Sequence, residues 1–402
     1  MAAFSTSSSR PYHIIIFGAS GFTGQFVVEE VARTASEGPK GSLKWAVAGR
    51  NRAKLEKVVE QAAGTLSKPE LKSEVDILVA DVSDLDSLAV MCKQAVIVLS
   101  CVGPYRFFGD PVVKSCVENG AHCIDISGEP QFLESMQLNY HDQAAGNGVY
   151  IVGSCGFDSI PADMGVIYTR DQFKGTLTAV ESFLTASAGP EVGVLNRQQQ
   201  VAEICISSAV FGSMNINELQ QYAIPFMGTD PSVVKRTQRY LTEELNESPV
   251  QYGAYVGVGG ISNIFKLVFA GLMFFFFVKF SFGRNLLIKF PEFFSFGFFS
   301  KAGPTRKQRE GSSFRFIFLG EGYTEGSDPS EGKPNGKIRT LVKGPEVGYV
   351  ATPIAMVQAA LTMLNESDSL PNTGGVYTPG ATFAKTTLID RLNKHGIQFS
   401  VL

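Results

Sequence analysis

The 402-residue sequence predicts an α/β fold: a doubly wound parallel sheet followed by a second α/β domain with a mixed sheet. Three observations carry this. Up to about residue 160, short continuous apolar runs alternate with segments of helical period, the pattern of strands buried on both faces by helices. A glycine-rich turn, FGASGFTG, joins the first such run to the first helical segment. Farther on, FRFIFLGEGYT and KIRTLVKGPE are strand-like runs joined by the polar loop EGSDPSEGKPNG, an antiparallel hairpin outside the alternating rhythm.

Taken in order, HIIIFG is a β-branched strand closed by glycine, and GQFVVEEVARTA a helix. The loop SEGPKGS leads to strand KWAVAGR, helix AKLEKVVEQAAGTL, strand VDILVAD and strand AVIVLSCVGP. DPVVKSCVENG predicts a helix with Asp110 as N-cap, Pro111 in its first turn and Gly120 as its stop. HCIDIS and VYIVGSCGF are the fifth and sixth strands. Near the end, TPIAMVQAALTML predicts a helix capped by Thr352, and TTLIDRLNKHG one stopped by Gly396. These elements divide the chain into a disordered tail (1–11), a nucleotide domain (12–160), a second, substrate- and membrane-facing domain (161–350) and a return to the first domain (351–402).

The glycine turn is a Rossmann-type phosphate loop. Gly18, Gly21 and Gly24 allow a tight bend and close approach to a pyrophosphate, and Ala19, Ser20, Phe22 and Thr23 complete the loop ahead of the helix N-terminus. An NAD site calls for a carboxylate at the end of the second strand. The sequence there reads AGRNRAK, with Arg50 at the strand end and Arg52 and Lys54 following. A guanidinium at that place suits a ribose 2′-phosphate, so NADP(H) is favoured over NAD(H). Asp81 is either an adenine-side contact or a helix cap. Cys101, Val102, Gly103 and Pro104 close the fourth strand on the edge along which the cofactor runs.

FGASGFTGQFV, WAVAGR, SCVGPY, CIDISGEP and GSCGFDSIPADMG together resemble the saccharopine dehydrogenase family, and GPEVGYVATPIAMVQAA and GGVYTPGA extend the resemblance toward the C-terminus. It implies an NAD(P)-dependent oxidoreductase whose chain leaves the nucleotide domain, builds a substrate domain and returns. True saccharopine reductases carry Cys-Gly-Leu-Asp-Pro-Gly at the sixth strand. Here Cys155, Gly156 and Asp158 match, Phe157 replaces Leu, and Ser159-Ile160 replace Pro-Gly. That departure, with no cluster of converging arginines in the second half, argues against an amino-acid substrate. The family also includes enoyl reductases of glycolipid assembly, which implies a long-chain alternative. Residues 190–221 stand where the resemblance implies a longer segment with a Gly-Thr-x-x-Ser turn.

None of the twelve tyrosines has a lysine four positions on, so the Tyr/Lys proton donor of short-chain reductases is absent. The catalytic candidates near the nicotinamide end are Tyr105, Asp125, Glu129, Cys155 and Asp158. Each has a structural alternative: Glu129 as cap of a helix at Pro130, Asp158 as cap of a helix near Pro161, Cys155 as a small buried hydrophobe. The six cysteines form no C-x-x-C pair and no metal-ligand spacing, and read as reduced thiols.

The formal net charge of −3 gives a nucleic-acid partner no bulk support. Charge is uneven, however. Residues 261–315 hold nine Lys/Arg and two acids, and fourteen of the 31 Phe lie between Phe265 and Phe299. Within LVFAGLMFFFFVKFSF, twelve uncharged residues separate Lys266 from Lys279. As a helix they cover about 18 Å, against a hydrocarbon core of about 30 Å. The Phe-rich segment 261–300 is therefore a surface lying in a membrane interface, a short span, or a core element or homodimer face; bare exposure to water is excluded. These features predict an oxidoreductase of a hydrophobic or lipid-like substrate, cytoplasmic and attached to a membrane or lipid droplet. The alternative is a cofactor-binding, non-catalytic scaffold of lipid surfaces. The Ser-rich N-terminus with one Arg leaves a mitochondrial address as a further expectation.

Overall fold

Strands form where β-branched and apolar residues run together. In the computed structural model, which describes residues 10–187, 205–206, 214–215, 222–258, 261–294, 305–327 and 332–402, Tyr12–Phe17 forms β1 with Ile14, Ile15 and Ile16 wholly buried. Five more strands follow in this half: β2 (Trp45–Gly49), β3 (Asp76–Val79), β4 (Ala95–Ser100), β5 (His122–Asp125) and β6 (Tyr150–Val152). Between them lie α1 (Gly24–Thr34), α2 (Arg52–Leu66), α3 (Leu71–Glu74), α4 (Leu85–Gln94), α5 (Tyr105–Asn119) and α6 (Pro130–Gly146). Caps follow the sequence chemistry: Asn51 accepts from the Lys54 N–H to start α2, Asp84 from the Ser87 N–H to start α4, and Gly120 (φ +70°) stops α5.

The second half opens with α7 (Ile160–Gln172) and the long β7 (Gly175–Ser187). Two-residue strands β8 (Cys205–Ile206) and β9 (Met214–Asn215) pair with each other. Then come β10 (Tyr222–Pro225), α8 (Asp230–Leu245), β11 (Gln251–Val258), α9 (Ile261–Val278), α10 (Ser281–Lys289), α11 (Pro291–Phe294) and α12 (Arg306–Gly311). The hairpin is β12 (Ser313–Thr324) and β13 (Gly336–Pro345), followed by α13 (Thr352–Asn365), β14 (Gly375–Tyr377), α14 (Pro379–Phe383), α15 (Leu388–Lys394) and β15 (Gln398–Val401).

Seven strands make an all-parallel sheet in the order β14-β6-β5-β4-β1-β2-β3, so the order reverses between β1 and β4. In open sheets of this kind, ligands bind outside the carboxyl ends of the strands at such a reversal. Six strands make a mixed sheet, β10-β11-β7-β12-β13-β15, in which only β7 and β11 pair in parallel. The last fifty residues divide between the sheets: β14 joins β6 in the first, whereas β15 pairs with β13 in the second. The domain division read from the sequence assigned all of 351–402 to the nucleotide domain.

Three local readings differ from the structure. Helix α5 begins at Tyr105, so Pro111 lies inside it and Asp110 is not its cap; Asp110 accepts instead from the Tyr140 hydroxyl at 3.0 Å. Thr352 is not a cap, because a π-helical turn, 347–351, precedes it. Its hydroxyl donates to the Val347 carbonyl, and Glu346 accepts the N–H groups of Gly348 and Tyr349. Arg10, placed in the tail, is fastened: its guanidinium donates to the carbonyls of Cys92, Ala95 and Asn119. The segment 190–221, apart from 205–206 and 214–215, lies outside the described residues.

Candidate cofactor and active site

The main chain at the end of β1 decides what can bind there. Gly18 has φ +84°, and a Cβ on it would stand 2.7 Å from Val102 Cγ2. A Cβ on Gly24 would stand 2.2 Å from the Gly18 carbonyl oxygen. The glycines thus let three segments meet: the loop, the start of α1 and the chain leaving β4. The Gly21 N–H closes the turn onto Gly18 O at 2.9 Å. Among the described residues the N–H groups of Ser20, Phe22, Thr23 and Gly24 have no main-chain acceptor. Thr23 supplies no side-chain cap, and the first turn of α1 holds no acid. Free N–H groups at the positive end of a helix form a cradle for a pyrophosphate. Ala19 is buried beneath the loop while Ser20, Gly21 and Phe22 face solvent.

Arg50 stands exposed where β2 ends. Arg52 is used internally, donating to the Ile77 carbonyl at 2.9 Å, and Lys54 lies in the first turn of α2, where its main-chain N–H donates to the Asn51 side chain. Of the three cations, Arg50 is the one at the strand end, the place of a 2′-phosphate. Asp81 is not a helix cap, since Asp84 has that role. Its carboxylate accepts from the N–H and hydroxyl of Ser83, which hold it below the usual carboxylate range; Arg50 adds a smaller pull. These residues fit NADP(H), which supplies hydride chemistry when bound; the protein's share is orientation and proton handling.

At the nicotinamide side, the loops after β4, β5 and β6 converge, with Ser100 and Asp125 paired at the strand ends. The four residues 101–104 lead from β4 into α5. Cys101 Sγ rests 3.9 Å from Met356 Sδ, and burial pushes its thiol up to about 12. Val102 packs over Gly18, and the Gly103–Pro104 peptide is cis.

The five catalytic candidates come together on this edge but have different attachments. Glu129 sits at the start of α6, yet its carboxylate reaches across to accept the N–H of Tyr105 at 2.8 Å and of Arg106 at 3.0 Å. It therefore caps α5 from another loop, which is why that helix starts early. Tyr105 turns inward, its phenol donating to Ser100 O at 2.7 Å, and burial raises its pKa well above the ordinary value. Cys155 is wholly buried, with its thiol near the Val152 carbonyl and likewise raised by burial. Asp158 is exposed; its carboxylate would lie 2.9 Å from a Cβ at Gly128, so it stacks over the β5 loop. Helix α7 takes no side-chain cap from it.

Asp125 differs from the rest. It is buried, accepts the N–H groups of Ser127 (2.8 Å) and Ser154 (3.0 Å), and burial pushes it up to about 6. Arg236, entering from α8, opposes that shift and lines the same small cavity with Tyr377 and Thr378. A carboxyl near neutrality at this edge can hold or release a proton. Arg236, like the cross-loop role of Glu129, escaped sequence reading, because α8 lies about a hundred residues away with no motif around it.

The profile described as "Saccharopine dehydrogenase NADP binding domain" matches residues 14–152. A human "Saccharopine dehydrogenase-like oxidoreductase" is 58% identical over 422 residues, covering 98% of both chains. A "Lipid droplet localized protein" of Caenorhabditis elegans is 37% identical, covering 97% of this chain and 98% of its own. Apo saccharopine dehydrogenase (L-Glu forming) from Saccharomyces cerevisiae shares the fold at a TM-score of 0.54 and 13% identity, covering 97% of this chain and 100% of that one. With a glycine cradle, an arginine at the strand end and this similarity along nearly its whole length, the chain belongs to the saccharopine dehydrogenase family and is an oxidoreductase with an NADP-binding domain.

Proposed function

We propose that this oxidoreductase acts on a hydrophobic, lipid-like substrate while attached to a membrane or lipid-droplet surface. The observation that carries the reading is the exposed apolar face of α9–α11. Phe265, Phe269, Leu272, Phe274, Phe275 and Phe276 all face outward on α9, and Phe280, Phe282, Ile288, Phe290 and Phe293 continue the face. Lys279, Arg284 and Lys289 stand among them, with Lys279 Nζ 4.4 Å from the Phe275 ring centre. Such a patch calls for a cover. Helix α9 is 18 residues long with Lys266 in its sequence, and cations at both ends of its twelve-residue uncharged run suit lipid phosphates above and acyl chains below. Exposed Phe22 and Phe107 on the loops after β1 and β4 give the cofactor edge an apolar rim, which suits a greasy substrate better than a tricarboxylate. The name of the nematode relative, a lipid droplet localized protein, agrees with the lipid surface.

Within this reading Asp125 is the proton-holding group, Glu129 positions α5, and Arg50 selects NADP(H). A second reading, a cofactor-binding scaffold without catalysis, draws on the inward-turned phenol of Tyr105 and thiol of Cys155. Consumption of NADPH by the purified chain, screened with unsaturated and carbonyl-bearing acyl lipids in vesicles, separates the two. Lipid-dependent turnover lost in Asp125→Asn supports the enzyme. Tight NADPH binding without turnover of any such lipid supports the scaffold.

A further inference from the structure

Three of the chain's thiols meet in the core on one face of the parallel sheet, away from the cofactor edge. Cys92 lies near the end of α4 and Cys116 near the end of α5, neighbouring helices, and their sulfurs are 3.6 Å apart. Both are wholly buried, and Cys123 of β5 touches Cys116 from below. The Arg10 guanidinium, held by the Cys92, Ala95 and Asn119 carbonyls, places a fixed positive charge beside the pair. The two thiols are unequal: the hydrogen bond with Cys116 lowers Cys92, whereas Cys116 is raised, chiefly by its contact with Cys123.

We propose that Cys92 and Cys116 form a reversible dithiol–disulfide pair that staples α4 to α5. Closing from 3.6 Å to a bond of about 2.05 Å asks for a small approach of two side chains already facing one another. A peroxide is the oxidant. The Cys92 thiol gives up its proton, the thiolate attacks one peroxide oxygen, the O–O bond breaks, and the other oxygen leaves as hydroxide that takes up that proton to become water, giving a sulfenic acid. The Cys116 sulfur then attacks the Cys92 sulfur, the S–O bond breaks, and a second water leaves with the Cys116 proton. Two electrons pass from the thiols to the peroxide, and a small dithiol reverses the reaction. The pair sits where it can matter: α4 follows the Asp81 turn and α5 follows the Cys101–Pro104 loop, two walls of the cofactor crevice. A covalent link between them fixes the spacing of those walls.

The test is peptide mass mapping of the full folded chain after exposure to hydrogen peroxide and blocking of free thiols, without reductant. The expected product is one linked Cys92–Cys116 peptide pair, reversed by dithiothreitol, with a rise in Tm of several degrees on oxidation. Cys123→Ser should leave the link intact, and Cys92→Ser should abolish it. Both thiols still unlinked at peroxide levels that oxidise exposed methionines, a Cys116–Cys123 link instead, or oxidation of Cys92 to sulfinic acid without a link would each overturn the assignment. Because the wild-type map needs no variant, a misfolded Cys92→Ser cannot leave the matter open.

Discussion

Two apolar helices of this chain have opposite surroundings. Helix α13, with the turn before it, forms Val347–Asn365, the one described helix long and apolar enough to cross a membrane, with a mean hydropathy of 1.5. Yet 78% of it is buried within the protein, packed on α1, β4, β5 and α15. Its Ala355, Ala359 and Ala360 allow close approach to the sheet, and its polar groups turn inward: Thr362 donates to Gln358 O and Gln358 Oε1 accepts from Arg391. Helix α9 meets chiefly β11 and α10, and its phenylalanines point outward. Apolarity alone therefore does not place a helix. Small residues with internal polar partners mark the one that the fold covers; bulky rings edged by lysine mark the one left for something else to cover.

The sharpest way to break this comparison is a buried charge. Met356→Asp in α13 should abolish soluble folded protein, since an unpaired charge in a core costs several kcal/mol. Phe275→Asp in α9 should leave Tm within the small range of surface changes, about 0.5 kcal/mol. Equal losses of Tm would make α9 a core helix and dissolve the contrast. A second test lies in pH. Asp163, buried on α7 and accepting from Thr237 and Gly380, is pushed up to about 7 by burial. A folded pKa raised above the unfolded value gives stability that is full below about pH 4 and lost as pH rises to about 7. At about 1.36 kcal/mol per unit the loss approaches ~4 kcal/mol. Denaturant melts should show that decline, and Asp163→Asn should flatten it; a decline unchanged by the substitution would place its origin elsewhere.

The next effects fall on the cofactor edge and sharpen its independence from the Phe-rich face. Gly24→Val puts a branched side chain against the Gly18 carbonyl. Overpacking of about 1–3 kcal/mol there should weaken NADPH binding by roughly 10–100-fold, read by fluorescence titration, with vesicle binding unchanged. Arg50→Ala should remove about 1.5–3 kcal/mol of charge-assisted hydrogen bonding. NADPH affinity should drop to that for NADH, while NADH binding stays as in wild type. Retained preference for NADPH would move the 2′-phosphate contact to another cation.

The parallel sheet was legible because its information is local. HIIIFG followed by a glycine turn and a helix specifies a β-turn-α unit within twenty residues, and the cradle came with it. What the sequence did not disclose depends on distant contacts. Glu129 stands before a proline-led helix and looks like that helix's cap, but its carboxylate is drawn to the unsatisfied N–H groups of α5, which starts six residues earlier than its Asp-Pro signal suggests. The same holds for β15, whose partner strand lies more than fifty residues upstream. The site of Asp125 needed Arg236 from α8 to be seen as more than a strand end. The fourteen phenylalanines were legible as something unusual, but composition cannot say whether neighbours cover them.

The most direct test is co-sedimentation of the full chain with vesicles of phosphatidylcholine, with and without anionic lipid, alongside sedimentation velocity in their absence. The lipid-surface account predicts that wild type pellets with vesicles, more strongly when they are anionic, and that Phe274→Asp/Phe275→Asp stays in the supernatant with unchanged Tm and NADPH affinity. Wild type remaining in the supernatant as a dimer that the same double variant dissociates would contradict it, and would give the apolar face to a second copy of the chain.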